Sequence, residues 1–285
     1  MTPDPIGVCL RIAVTEIGRM LTILILLVVV GLAAVMALAW AAERATGNTG
    51  WADVFWTIGT GLAGICFAVC PAVFSGSAPT PRQIVLAALV MLWLGRLSVH
   101  IAMRVSKGHE DARYTVLRNR WGSAFPIRLF GFLQLQAICG AALALTVLVA
   151  ALNPSPGLRA LDFIGLAVFA AGLIGESIAD GQLRRFAADP DRRGGICMDG
   201  LWAWSRHPNY FFEWLVWLAY PCFAITLSGN YLWGWLALLG PAFSYYLLAH
   251  VSGVPPLEEH LLRSRGTAYR DYQQRTNSFF LGPQH

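Results

Sequence analysis

Charge is what this sequence has least of. Only 13% of its 285 residues are charged, against about 25% in a typical soluble domain. Paired cysteines are missing too. Cys9, Cys66, Cys70, Cys139, Cys197 and Cys222 are scattered, none in a Cys-x-x-Cys spacing. Most lie in apolar runs, where cysteine acts as a small buried hydrophobe rather than a disulfide or metal framework. Internal repeats and low-complexity tracts are absent as well, so the chain reads as one domain over 1–285.

What is present is hydrophobic: 56% of residues, with a mean hydropathy of +0.54. Long apolar stretches alternate with short charged ones. Seven runs stand out, at 21–42, 54–74, 82–103, 127–152, 160–181, 210–228 and 231–251. Each approaches the ~20 residues that a helix needs to cross the hydrocarbon. The expected fold is therefore all-α, a polytopic bundle of seven transmembrane helices. Turn-forming stretches fill the gaps, among them Thr46–Gly47–Asn48–Thr49–Gly50 and Asn153–Pro154–Ser155–Pro156–Gly157. Ala39–Trp40–Ala41 resembles a signal-cleavage site. The first run is longer than the ~7–15 residues of a signal core, so it reads as a retained span.

Basic residues orient such a bundle. With the N-terminus outside, 16 of the 21 Lys and Arg residues fall in inside segments. Arg11, Arg19, Arg82 and Arg159 fall outside, and Arg96 lies within a span. The C-terminus and two long basic loops should then face the cytoplasm of a cell's inner (plasma) membrane. The net charge of +5 fits basic loops facing anionic lipid or an anionic cofactor better than nucleic acid.

Ionisable residues within apolar spans are costly and usually face protein or a wet cavity. Three sets occur here. Arg96, His100 and Arg104 follow one another at spacing four in the third run, along one helix face. Snorkelling explains Arg104 but not Arg96, about two turns deeper. Glu176, Asp180 and Arg184 repeat that spacing at the end of the fifth run. Two carboxylates and an arginine on one face suit a polar ligand with both donors and acceptors, such as a nucleotide. The third set opens the sixth run, at Ser205–Arg206–His207–Pro208–Asn209–Tyr210–Phe211–Phe212–Glu213–Trp214. Pro208 suits a first helical turn, and Arg206 and His207 would add positive charge where a helix already attracts anions. Trp202, Trp204, Trp214 and Trp217 fit an interfacial aromatic belt, which leaves Asn209 and Glu213 unexplained. Upstream, Arg192–Arg193–Gly194–Gly195 offers backbone amides for close approach to phosphate. Downstream, Leu257, Leu261 and Leu262 predict an amphipathic helix in a cytoplasmic tail over 256–285.

The stretch from Gly200 to Trp214 resembles the signature of bacterial membrane proteins related to steroid 5-alpha-reductases. Glu176–Ser177–Ile178–Ala179–Asp180–Gly181–Gln182–Leu183, Asp111–Ala112–Arg113–Tyr114 and the tail with Leu257–Glu258–Glu259, Tyr269, Tyr272 and Arg275 extend the likeness to about residues 50–282. The resemblance implies a seven-helix enzyme that binds NADPH from the cytoplasm and reduces the C=C bond of a lipophilic enone taken from the bilayer. Its matching cofactor positions are Glu176, Asp180 and Asn209, with Glu213 one turn later, alongside basic loop residues and basic or aromatic tail residues. With the site's own charges, the candidate cofactor set adds Arg184, Arg193, Arg206, His207, Tyr210, Glu258, Tyr269 and Arg275. Glu stands at 176 where the family has Asn.

The departures lie at the substrate end. Steroid reductases engage the substrate carbonyl with a Glu in the second span and a Tyr in the third. Trp93 takes the tyrosine position here, and an indole is no phenol-like acid. The second run has no Glu, and its nearest acid is Asp53. His100, tunable near neutrality, stands as candidate acid with Arg96 and Asp53 beside it. No metal is implied. Ser–Arg–His–Pro–x–Tyr with a Glu–Glu tail also resembles isoprenylcysteine carboxyl methyltransferases, which use S-adenosylmethionine. A non-enzymatic lipid-binding or transport protein is the third reading.

The seven-span layout places the two termini on opposite sides. Reporter domains fused to each terminus should therefore report opposite compartments, whereas a shared compartment would require an even number of spans.

Overall fold

The computed structural model describes residues 5–108, 112–192 and 194–284. Among these the regular structure is entirely helical: α1 (Pro5–Thr46), α2 (Trp51–Phe74), α3 (Pro81–Val105), α4 (Ala112–Trp121), α5 (Phe125–Ala151), α6 (Ala160–Ala188), α7 (Pro208–Ala224), α8 (Leu239–Tyr246), α9 (Val254–Arg265) and α10 (Thr267–Arg275). Six segments are long and apolar enough to cross a membrane: Gly18–Thr46, Trp51–Phe74, Pro81–Val105, Arg113–Ala151, Ala160–Ala188 and Leu232–Arg265. The expected sixth run, 210–228, is realised as α7, whose 17 residues span about 25 Å. The run at 231–251 is not a plain α-helix either. It starts as a 3-10 helix (Leu232–Leu238), passes through α8 and ends in a π-turn (Leu247–Val251). The tail breaks into α9 and α10 at Gly266, whose φ of +58° suits a residue without a Cβ.

The chain divides into two compact units. One holds α1, α2, α3 and α5 from Pro126; the other holds α4 and α6 through α10. In the first, α2 is the central element because its glycines admit neighbours. A Cβ at Gly59 would meet Leu32 of α1 at 2.9 Å, one at Gly61 would meet Leu94 of α3 at 2.8 Å, and one at Gly64 would meet Val90 of α3 at 3.1 Å. With little to gain from hydrophobic exclusion in lipid, helices associate by this close packing. The indole of Trp56 donates to the Gln136 carbonyl at 2.9 Å. Gln83 closes a capping box with Thr80 and also donates to the Ala151 carbonyl at 3.2 Å.

In the second unit, α6 and α7 meet along a seam of small residues. Gly165, Gly172 and Gly175 lie on the α6 side. A Cβ at Gly172 would sit 2.9 Å from the Phe212 carbonyl oxygen and 2.9 Å from the Val216 nitrogen, and one at Gly175 would run into the Phe212 ring. The far end of α7 is tied to the start of α6. The last carbonyls of any helix lack intrahelical donors. Arg159 supplies donors to Ile225 and Phe223, both at 2.8 Å, and Asn153 donates to Phe223 at 2.8 Å and Ala224 at 3.0 Å. Asp162, fully buried, holds Arg159 at 2.8 Å.

Backbone atoms cannot yield as a flexible side chain can. Gly172→Ala should therefore destabilise the protein by about 1–3 kcal/mol, the usual cost of overpacking. Gly31→Ala in α1, where a Cβ meets nothing within 4 Å, should be neutral or slightly stabilising. Thermal denaturation of the two variants in detergent checks the contrast.

Candidate functional site

The loop between α6 and α7 brings the site together. Gly200 takes φ +59°, and a Cβ there would collide with Gln182. The Gln182 side chain accepts from the Leu201 amide at 3.0 Å, and the Trp202 indole donates to the Ala179 carbonyl at 3.0 Å. Both bonds fix the 3-10 turn Gly200–Ala203 onto the second half of α6. The chain then turns at His207, the N-cap of α7, and Pro208 starts the helix.

Two acids are buried on α6 next to this junction. Glu176 is 4% exposed and Asp180 6%. Asn209, in the first turn of α7, donates to Asp180 across the seam at 3.5 Å. Glu213, one turn on, accepts from the Trp217 indole at 3.0 Å. The two polar residues of α7 thus have different partners although they share a helix face. Beside the junction lies an open, mostly apolar groove of about 470 Å³, lined by Gly175, Ile178, Gln182, Gly200, Leu201, Trp204, Phe212 and Leu281.

Arg206, His207, Glu258 and Tyr269 also come together, around one carboxylate. Arg206 Nε donates to Glu258 Oε1 at 2.7 Å, His207 Nε2 lies 3.1 Å from the same oxygen, and the Tyr269 hydroxyl donates to it at 3.4 Å. Gln273 donates to Oε2 at 2.8 Å. Arg206 Nη1 also donates to the carbonyls of Gln273, at 3.0 Å, and Thr276. The guanidinium read from the sequence as a phosphate ligand is here committed to the protein's own tail. The chain beyond α10 continues the attachment: the Arg206 amide donates to Asn277 at 2.8 Å, Ser205 Oγ to Phe279 at 2.9 Å and the Gly282 amide to Trp204 at 3.1 Å. Phe279 and Phe280 pack their rings on Phe211, Trp214 and Tyr245. Tyr272 donates to the Trp202 carbonyl at 2.5 Å. Burial pushes the Tyr269 and Tyr272 phenols above the usual tyrosine range, which keeps them as donors.

The remaining candidates are dispersed. Arg184 and Arg275 are exposed, and Tyr210 stacks on His207 with ring centroids 5.5 Å apart. Arg193 lies outside the described residues. Its neighbour Arg192 pairs with Asp199 at 2.6 Å and holds that carboxyl below its usual range, while the Gly194 carbonyl accepts from Arg265. Arg96 and His100 are half-buried on α3 with Trp93 fully buried one turn before, and Asp53 is half-buried in the first turn of α2. All four belong to the first unit, the cofactor candidates to the second. Gln273 and Thr276 carry no signal in the sequence that marks them, whereas Glu43, also unmarked above, is buried near the end of α1. Glu43 had a readable signal, an acid closing a long apolar run. Among the described residues no group of His, Cys, Asp and Glu is arranged to hold a metal ion.

Fold and site together define a multi-pass helical membrane protein with a buried acidic cluster at one helix seam. The chain belongs to the family described as "Protein of unknown function (DUF1295)", whose profile matches residues 39–276. It is similar to an uncharacterized protein of Schizosaccharomyces pombe, 26% identical over 271 residues, covering 82% of this chain and 76% of that protein. No solved structure matches.

Burial lowers the pKa of His207 despite its bond to Glu258. A histidine lowered on folding, below its unfolded value of about 6.5, stabilises fully above that value. The contribution is lost as pH falls towards the folded pKa. The wild-type melting temperature should therefore drop more steeply between about pH 7 and 5 than that of His207→Gln, which does not titrate there.

Proposed function

We propose that this chain is a membrane oxidoreductase that uses NADPH to reduce a C=C bond of a lipophilic enone, steroid- or isoprenoid-like. The observation that carries the reading is the meeting of Asp180 and Asn209 at the α6–α7 seam, with Glu176 buried one turn before Asp180 on α6. Buried carboxylates are expensive unless they are paired or serve a ligand. These three residues also occupy cofactor positions of the steroid-reductase-like pattern. They fit the group by its chemistry: two acceptors and an amide suit ribose hydroxyls and a carboxamide, and would repel phosphates. Phosphates suit the exposed Arg184 and Arg275 and the basic loop at Arg192 and Arg193. Tyr210, Glu213, Tyr269 and the Arg206–His207–Glu258 cluster shape the mouth of that site. Bound there, NADPH supplies a hydride.

The apolar groove at Ile178, Leu201, Trp204 and Phe212 favours a substrate with a hydrocarbon body that enters from the bilayer. His100, Arg96 and Asp53 are the residues assigned to the reacting end, with His100 as proton donor. In this reading α7 also crosses the membrane, as the sixth of seven spans, at the short end of the range of about 17–25 residues. The N-terminus is then outside and the C-terminus in the cytoplasm, at the inner (plasma) membrane.

A second reading is S-adenosylmethionine-dependent methyl transfer. It is favoured by the joining of Arg206 and His207 to Glu258, since these are the two halves of the methyltransferase-like pattern.

Thermal shift of the detergent-purified protein separates the readings. NADPH should stabilise it. Stabilisation by S-adenosylmethionine alone would reverse the order, and stabilisation by neither would favour a lipid-binding or transport protein. Asn209→Ala should weaken NADPH binding several-fold, and an unchanged affinity in the folded variant would remove the nucleotide from this seam.

A further inference from the structure

His207 has one ring nitrogen bonded and one that is not. The residue is only 1% exposed. It caps the N-terminus of α7 with φ −137°. Its backbone amide donates to Ser205 Oγ at 3.1 Å, and its ring lies parallel to that of Tyr210, with 9° between the planes. Nε2 faces Glu258 Oε1 at 3.1 Å. Nδ1 is equally buried and meets no hydrogen-bond partner among the described residues.

The hydrogen positions follow from the neighbours. Glu258 also accepts from Arg206, Tyr269 and Gln273, and its pairing with the Arg206 guanidinium at 2.7 Å favours the ionised carboxylate, which can only accept. Nε2 must therefore carry the hydrogen that points at Glu258. Burial disfavours a second proton on the ring. Nδ1 is then a bare lone pair at the mouth of a helix, oriented by a carboxylate as a base is oriented in a catalytic dyad. Leaving such a buried acceptor unmatched is costly, and groups of this kind in native proteins call for an explanation.

We infer that His207 Nδ1 is a neutral acceptor for an O–H or N–H donor of the nucleotide. It is not a cation for the phosphates. The inference rests on the NADPH reading above and deepens it. Arg206 and His207 are neighbours in sequence but have opposite electrostatic roles. Arg206 anchors Glu258, Glu258 fixes the imidazole tautomer, and the imidazole reads a donor. A phosphate oxygen, itself only an acceptor, would be repelled by that lone pair.

Two substitutions split the ring's functions. In His207→Gln the side-chain amide can still donate to Glu258 but leaves no acceptor at the Nδ1 position. In His207→Asn the amide oxygen replaces Nδ1 and the bond to Glu258 is lost. At pH 7.5 (about one unit above the reference histidine pKa) His207→Gln should melt like the wild type without ligand. It should bind NADPH about five- to tenfold more weakly, the cost of one unmade hydrogen bond. His207→Asn should melt lower yet bind more tightly than His207→Gln. Wild-type affinity in His207→Gln overturns the inference and leaves the NADPH reading intact, whereas no NADPH binding by the wild type overturns both. A measurement on wild-type protein labelled with nitrogen-15 histidine does not depend on the folding of any variant. The Nδ1 resonance of His207 should start as an unprotonated nitrogen and move on NADPH addition. A protonated starting position, or no movement at saturating NADPH, overturns the inference.

Discussion

Four side-chain donors meet at the carboxylate of Glu258, and the arrangement of the second unit depends on that meeting. Arg206 and His207 come from the start of α7; Tyr269 and Gln273 come from α10. An acid that accepts several hydrogen bonds, one of them charge-assisted, offsets the cost of its own partial burial. Its removal would leave a buried guanidinium without its countercharge. The clamp explains why a tail of polar composition folds back at all. Neither α9 nor α10 is apolar enough to be held by hydrophobic burial alone. The clamp and the ring packing of Phe279 and Phe280 hold it instead.

Around the clamp, lipid imposes a second constraint. Backbone polar groups need partners within the protein, and helices gain by fitting closely rather than by excluding water. The glycine seam between α6 and α7 answers the second demand; Arg159 and Asn153 at the end of α7 answer the first. One consequence of the seam is a polar one. Drawing α7 against α6 brings Asn209 to Asp180 and leaves a polar cluster where two apolar helices would otherwise pack. The glycines and the acids are thus parts of one arrangement, the glycines admitting the close approach that buries the acids.

Much of this could be read along the chain, and the exceptions are instructive. Glu176 and Asp180 stood out because acids at spacing four in an apolar run must face inward, and they do. Pro208 marked the start of α7 for a reason local to its ring. Arg206 was legible as a cation beside a helix N-terminus but not as a partner of Glu258, because the two lie 52 residues apart and nothing in local spacing relates them. Arg159 looked like a loop cation, and its role as a cap depends on where α7 happens to end. The short length of α7 was hidden by the apolar residues that follow Ala224, which continue the hydropathy after the helix has stopped.

Hydropathy and periodicity along the chain are enough to make it helical and membrane-embedded and to mark which of its residues are too polar for lipid. These are one-dimensional properties, since hydropathy and helical periodicity are summed over neighbours in the chain. Which of those polar residues meet is set by the packing of the helices. That packing joined Asn209 to Asp180, turned Arg206 from an outward cation into an internal anchor, and left His207 with one nitrogen fixed and the other bare. Such pairings arise between segments far apart in sequence, where the choice of partner is set by helix packing and by the need to satisfy every buried charge.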